Sequence, residues 1–254
     1  MCTFRGIPAS VLFLLLTHAN GFAWQEPRIE VETWEVRINL RQPPAKVIDT
    51  IGLKPGMVIG EVGAGGGRIT LWLAQRVGPN GHVYANDIDE KALRHLKTRC
   101  EKAGFMNVTT IVGTVTEPRF QPHSLDIAFV TNTYHHLEKP IELVKNLLPS
   151  LKENGILAII ERDADRAVSR EEATSKDDFV RQMAAAGFDV IRIETFLQED
   201  NIYIARPKQV NDGGSDLSAS AIRVRKSSWQ RPPAKRIGDS TSRTTSTPSS
   251  TWDR

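Results

Sequence analysis

A chain of 254 residues, 40% hydrophobic and 25% charged, has the composition of a soluble globular protein and the length for one large domain with appendages. Its formal charge of +3 owes much to one late stretch, RVRKSSWQRPPAKR, so the balance argues against a nucleic-acid partner. Two cysteines, Cys2 and Cys100, exclude a disulfide framework or a cysteine metal cluster, and no metal-ligand spacing of the H-E-x-x-H kind occurs; no metal is expected.

The first 23 residues have the layout of a secretory signal: Arg5, then the apolar run VLFLLL (11–16), then GFA (21–23) ahead of Trp24. The run is too short for a comfortable transmembrane helix. The expectation is a signal peptide or N-terminal anchor over 1–23, hence an exported or membrane-anchored protein, and a cytoplasmic one if this signal does not operate, with membrane association only through this segment. Residues 24–206 form the folded domain, and 207–254, rich in Ser, Thr, Gly, Pro and Arg, read as a disordered tail.

Within the domain, MVIGEV (57–62) reads as a strand, followed at helical spacing by Ile69, Trp72, Leu73 and Val77. HVYAND (82–87) is the second strand. Asp89 caps a helix whose Leu93, Leu96, Cys100 and Ala103 share a face before Gly104 ends it, with Cys100 buried. VTTIVG (108–113) and LDIAFVT (125–131) follow as strands, and Ile141, Val144, Leu148 and Leu151 give the next helical stripe. ILAIIE (156–161) has the continuous apolar run of a buried parallel strand. Ser175 and Asp178 resemble a capping box opening DDFVRQMAAAG, and DVIRIET and NIYIAR close the domain as an antiparallel pair. Strands alternating with helices predict an α/β fold, a Rossmann-like open and mostly parallel seven-stranded sheet with helices on both faces and an antiparallel final strand. Ligands of such sheets bind at the carboxyl ends of the strands.

The stretch GEVGAGGGRIT (60–70) lies at such an end. A glycine corner between strand and helix lets backbone approach a ligand and takes up positive φ without steric cost. A dinucleotide fingerprint, G-x-G-x-x-G, would place its last glycine at position 68, where Arg68 stands; the pattern is instead E-x-G-x-G-x-G, Glu61 to Gly67. Asp87, some 20 residues on, ends the second strand, where an acid accepts hydrogen bonds from ribose hydroxyls.

With LKPGMVIGEVGAGGG, GHVYANDID, SLDIAFVTNTYHHL and LKENGILAIIERD, residues 43–206 resemble the class I S-adenosylmethionine-dependent methyltransferases of the small-molecule type. The resemblance implies S-adenosylmethionine as cofactor and a small-molecule substrate. It also implies that Gly63, Gly65 and Gly67 cradle the cofactor's amino-acid part with Glu61 holding the loop, that Asp87 binds the ribose, and that Ile88 lies beside the adenine. Where many members carry an acid near the adenine amino group this chain has Thr114, which leaves that contact weaker or to backbone. Asn132 is the cofactor or substrate contact nearest by position. From NTYHH (132–136), His135 and His136 are candidate proton acceptors, since imidazoles titrate near neutrality, and Tyr134 is a candidate substrate-facing side chain; each could equally hold the loop or pack. Glu161 is either functional or a solvated loop acid, the run ERDADR reads as a solvated, locally paired loop, and His123 as an exposed turn residue. Two other classes stay open: a domain that binds cofactor or partner without turnover, and an NAD(P)-dependent oxidoreductase, against which Arg68 at the sixth position argues. Nothing in the sequence fixes the oligomeric state.

Overall fold

The computed structural model describes residues 27–168, 173–209 and 222–225. The expected leader, 1–23, and most of 207–254 lie outside them.

Among the described residues eight strands form one sheet in the order β3-β2-β1-β4-β5-β7-β6-β8. β1 (Val58–Val62), β2 (His82–Asp87), β3 (Val108–Val112), β4 (Leu125–Thr131) and β5 (Leu151–Arg162) are parallel where they pair; β7 (Asp200–Pro207) runs antiparallel to both β5 and β6 (Phe188–Glu194). All seven expected strands are present. The eighth, β8 (Arg223–Arg225), corrects the expected count and part of the expected tail: it pairs parallel to β6, and the Thr195 N–H donates to the Arg225 carbonyl.

The strand order reverses between β1 and β4. β1 leads to β2 and β3 on one side, while β4 and β5 build out on the other, so the loops leaving β1 and β4 flank an open crevice at the carboxyl edge. One core packs α2 (Pro44–Thr50), α3 (Thr70–Val77) and α4 (Glu90–Ala103) against Ile59, Val83, Phe129 and Ile160. The second packs α5 (Pro140–Lys145) and α6 (Lys176–Ala185) against Val62, Val130, Ile159 and Tyr203.

The caps behave as their chemistry dictates. The Asp89 carboxylate accepts from the N–H groups of Lys91 and Ala92, and Gly104 ends α4 at φ +81°. Ser175 Oγ accepts from the Asp178 N–H at the start of α6. The stripe expected from Ile141 to Leu151 is broken: α5 stops at Lys145, a 3-10 turn spans Leu148–Ser150, and Leu151 opens β5, so Leu143, Val144 and Leu147 are buried while Ile141 is exposed. Pro149 explains the break, because it cannot donate a helical hydrogen bond.

Ahead of the sheet, α1 (Thr33–Arg41) is a helix that periodicity did not reveal, since three of its four apolar residues are exposed and only Ile38 is half-buried. Its inward positions are the polar Glu35, Asn39 and Gln42, the last capping its C-terminus. Trp34, Val36 and Leu40 are exposed.

Candidate active site

The three glycines of the corner all have positive φ: +74° at Gly63, +52° at Gly65 and +90° at Gly67. They are glycines for different reasons. A Cβ on Gly63 would lie 2.1 Å from Thr133 Oγ1, and one on Gly67 2.3 Å from Leu96 Cδ1, so these two let the loop pack against β4's exit and α4. A Cβ on Gly65 would meet nothing within 4 Å. Gly65 alone of the three faces open space, where a ligand can approach the backbone.

That space is bounded by the end of β2. Asp87 Oδ2 accepts from the Gly65 N–H at 2.7 Å and Oδ1 from the Asp89 N–H at 2.9 Å. Two backbone donors therefore fix the carboxylate, and an ionised carboxylate still has lone pairs for further donors. Beside it Ile88 is 63% exposed, and Val112, in register with Asp87, is also exposed; an apolar flank next to a fixed acid suits a planar base attached to a ribose. The Thr114 hydroxyl accepts from the Glu117 N–H and its own N–H donates to the Glu117 carbonyl, which closes a short turn. The open cradle at Gly65, the fixed Asp87 and the uncovered Ile88 and Val112 together fit S-adenosylmethionine.

Beneath the corner Glu61 is buried and accepts from Thr70 Oγ1 at 2.6 Å. Burial pushes its carboxyl up to about 7, against the pull of the Thr70 hydroxyl and the Arg68 charge. The residue that displaced the dinucleotide glycine proves central. Arg68 is buried and donates to Asn39 Oδ1 at 3.1 Å, Gln42 Oε1 at 3.1 Å and Thr131 Oγ1 at 3.4 Å. Burial lowers its pKa, and Glu61, Glu35 and Asp200 oppose that shift.

On the β4 side, Asn132 has φ +52°, a conformation that asparagine tolerates better than most residues. Its side-chain amide is zipped to that of Gln42: Gln42 Nε2 donates to Asn132 Oδ1 at 2.8 Å and Asn132 Nδ2 to Gln42 Oε1 at 3.0 Å. Gln42 Nε2 also donates to Asp200 Oδ2 at 2.9 Å. The inner face of α1 thus roofs the crevice, held by a buried polar network that joins the exits of β1 and β4 to the start of β7. A second brace is the buried pair Arg99–Glu35 at 2.7 Å, in which Arg99 also donates to the Gly66 carbonyl at 2.8 Å.

The NTYHH residues separate. Tyr134 is buried, its ring packed 5.1 Å from that of Phe179 and its hydroxyl donating to Gln182, with burial raising its pKa. The expectation of a substrate-facing phenol is corrected: this ring belongs to the second core. His136 is exposed, its ring 4.2 Å from that of His135. His135 Nδ1 lies 3.2 Å from Glu161 Oε2, and Glu161 is buried with its other oxygen, Oε1, unpartnered among the described residues. The reading of Glu161 as a solvated acid is corrected; in ERDADR the local pairing is present and Asp165 is exposed, but Asp163 is not solvated. Asp163 is fully buried, paired with Arg166 at 2.7 Å and Lys176 at 2.9 Å, and these hold its carboxyl down to about 2. His123 is exposed, as expected.

Sequence reasoning brought together Glu61, the glycines, Asp87, Ile88 and Asn132, but missed Gln42, Arg68, Asn39 and Asp200. Arg68 carried a signal, being the long cation that replaces a glycine inside a backbone cradle. The others are ordinary polar residues that only the docking of α1 makes functional candidates.

This arrangement is that of an open α/β sheet with its crevice at the switch point between β1 and β4. Residues 59–155 match the family model described as Methyltransferase domain. Among curated proteins the chain is 30% identical over 82 residues to nocamycin O-methyltransferase of Saccharothrix syringae, covering 32% of this chain and 29% of that protein. It is 29% identical over 115 residues to a protein-L-isoaspartate O-methyltransferase of Ignicoccus hospitalis, covering 45% and 52%. The match thus spans about half or less of these relatives' length. Among solved structures, a SAM-dependent methyltransferase from Aquifex aeolicus superposes with TM-score 0.63 at 27% identity, over 68% of this chain and 94% of that one. The similarity to a methyltransferase domain is carried by residues 59–155, within a fold shared with a solved SAM-dependent methyltransferase.

Proposed function

We propose that the protein transfers a methyl group from S-adenosylmethionine to a small-molecule acceptor. The observation that carries this reading is the Gly65 corner, open to ligand and tied by 2.7 Å to the Asp87 carboxylate. When bound, the cofactor supplies a sulfonium methyl that is already activated, which leaves alignment and exclusion of water to the protein. Gly65 and its neighbours would receive the amino-acid part, Asp87 the ribose hydroxyls, and Ile88 with Val112 the base. The Gln42–Asn132–Arg68 roof would shut water from the reacting end.

An acceptor that arrives protonated needs a base. We assign this to His135: Glu161 lies against Nδ1, which orients the ring and leaves Nε2 to take the proton. The α1 roof over the crevice and the small formal charge support a small acceptor over a polymer. The test is to incubate the full chain with methyl-labelled S-adenosylmethionine and fractionated metabolites and look for labelled products, with NADH binding measured in parallel. Labelled product without NADH binding is the expected result. Cofactor binding with no product in any fraction would favour a domain that binds without turnover, and NADH binding alone an oxidoreductase.

A further inference from the structure

Residues 27–32 run as a strap along α4, in the direction opposite to the helix. Glu32 Oε1 lies 2.8 Å from His95 Nε2, Arg99 Nη2 donates to the Glu30 carbonyl at 2.9 Å, and Pro27 shares a cavity with Gly104, the cap that ends α4. Between these ties Ile29 packs on the first core. Traced backward, the strap therefore leaves α4 at the edge of the sheet away from the crevice. The cavity there, of about 330 Å³, lies between the ends of two helices. Ala74 and Pro79 wall it from the end of α3, Phe105 and Met106 from just past α4, and Pro27 from the strap itself. The lining is chiefly apolar, and Met106 is 92% exposed.

The occupant follows from where the strap points. Gln25 and Glu26 are polar, so Trp24 is the first large apolar side chain ahead of Pro27, joined to it by no more than about 11 Å of chain. A residue before a proline is held to extended or polyproline backbone, and in polyproline's three-residue turn positions 24 and 27 share a side. The volume is at the small end for a ligand pocket, and it suits one large side chain. Gln75, exposed on the rim, offers an amide oxygen to an indole N–H. We propose that Trp24 seats its indole in this cavity and so anchors the strap that carries α1 over the crevice. The seat requires nothing of residues 1–23, since Trp24 stays on the chain whether or not they are removed.

The experiment uses the full chain with Cys2→Ser and Asn80→Cys, labelled with bimane, a fluorophore that a tryptophan in contact quenches. Asn80 is exposed beside Pro79, and Cys100 stays unlabelled because it is buried and its thiol is pushed up to about 11. Trp24→Phe should relieve the quenching yet keep the melting temperature, because an aromatic ring still fills the cavity. Trp24→Ser should relieve it and lower the melting temperature by about 2 to 4 °C. Met106→Asp, at the exposed wall, should relieve it with Trp24 intact. Quenching that persists in Trp24→Phe would overturn the proposal by giving the contact to another tryptophan, and quenching indifferent to Met106→Asp would make Trp24 a neighbour and not the occupant. A melting temperature unmoved by Trp24→Ser would overturn it as well. So would quenching that grows with protein concentration, which would make the occupant a second copy, or a label shielded from solvent but unquenched, which would give the cavity to residues 1–23, where no tryptophan occurs.

Discussion

Asp87→Ala tests the cofactor site most directly, and the structure raises the stakes beyond the ribose. The carboxylate is placed to accept from two ribose hydroxyls while its oxygens already accept from the Gly65 and Asp89 N–H groups. Hydrogen bonds to a charged group contribute about 1.5 kcal/mol each at the low end, so two lost ribose contacts amount to about 3 kcal/mol, or about a hundredfold in affinity. Releasing Gly65 adds to this, because the corner must then be ordered by the ligand. Asp87→Asn is the sharper variant. An amide accepts through one oxygen only, so its NH2 must face either the Gly65 or the Asp89 N–H, donor against donor. Asparagine is therefore expected to lose nearly as much affinity as alanine. Titration calorimetry with S-adenosylmethionine reads both losses, and circular dichroism checks the fold. A loss below threefold in the alanine variant would remove Asp87 from the site, and an asparagine variant close to wild type would show that the backbone bonds do not set the corner.

Gly65→Val should cost about 1 kcal/mol or more from φ +52° alone and fill the cradle, so cofactor affinity should fall at least tenfold by calorimetry; unchanged affinity would refute the cradle. Glu61 titrates near 7 when folded against an ordinary 4.5. The folded chain therefore keeps a proton that the unfolded chain has lost, and stability of the cofactor-free protein should fall as pH rises from about 4.5 to 7, by on the order of 3 kcal/mol; chemical denaturation across that range should show the slope flattened in Glu61→Gln. His135→Gln should lower turnover about a hundredfold with cofactor affinity nearly unchanged, and His136→Gln should do little. A turnover loss that merely tracks melting temperature would make the His135–Glu161 pair structural.

What the sequence disclosed divides along a physical line. β1, β2 and β5 and helix α4 were readable because their apolar periodicity matches their burial, and the corner was readable because E-x-G-x-G-x-G and the terminal Asp87 are demanded by local backbone geometry. The α5 region misled because Pro149 breaks a stripe whose spacing otherwise looks helical. Glu161 and Asp163 were misread because charged residues at a strand's end are usually solvated, and only β7, the Lys176 and Arg166 side chains and the second core reveal that these are enclosed.

The deepest miss, α1, follows from the same logic. Hydrophobic patterning finds a helix by the face it buries in a core, and this helix buries Glu35 and Gln42 and half-buries Asn39 instead. Their burial is tolerable only because each finds a partner: Arg99 for Glu35, Arg68 for Asn39, and Arg68, Asn132 and Asp200 for Gln42. Removing one member of such a network strands the others, at about 1 to 3 kcal/mol for each neutral group left unsatisfied and more for a charge. The roof therefore stays in place through Arg68, the residue that distinguishes this corner from a dinucleotide fingerprint. Arg68 could not be a glycine here without leaving Asn39 and Gln42 short of a donor, so the departure from one glycine pattern and part of the polar roof over the crevice rest on the same side chain.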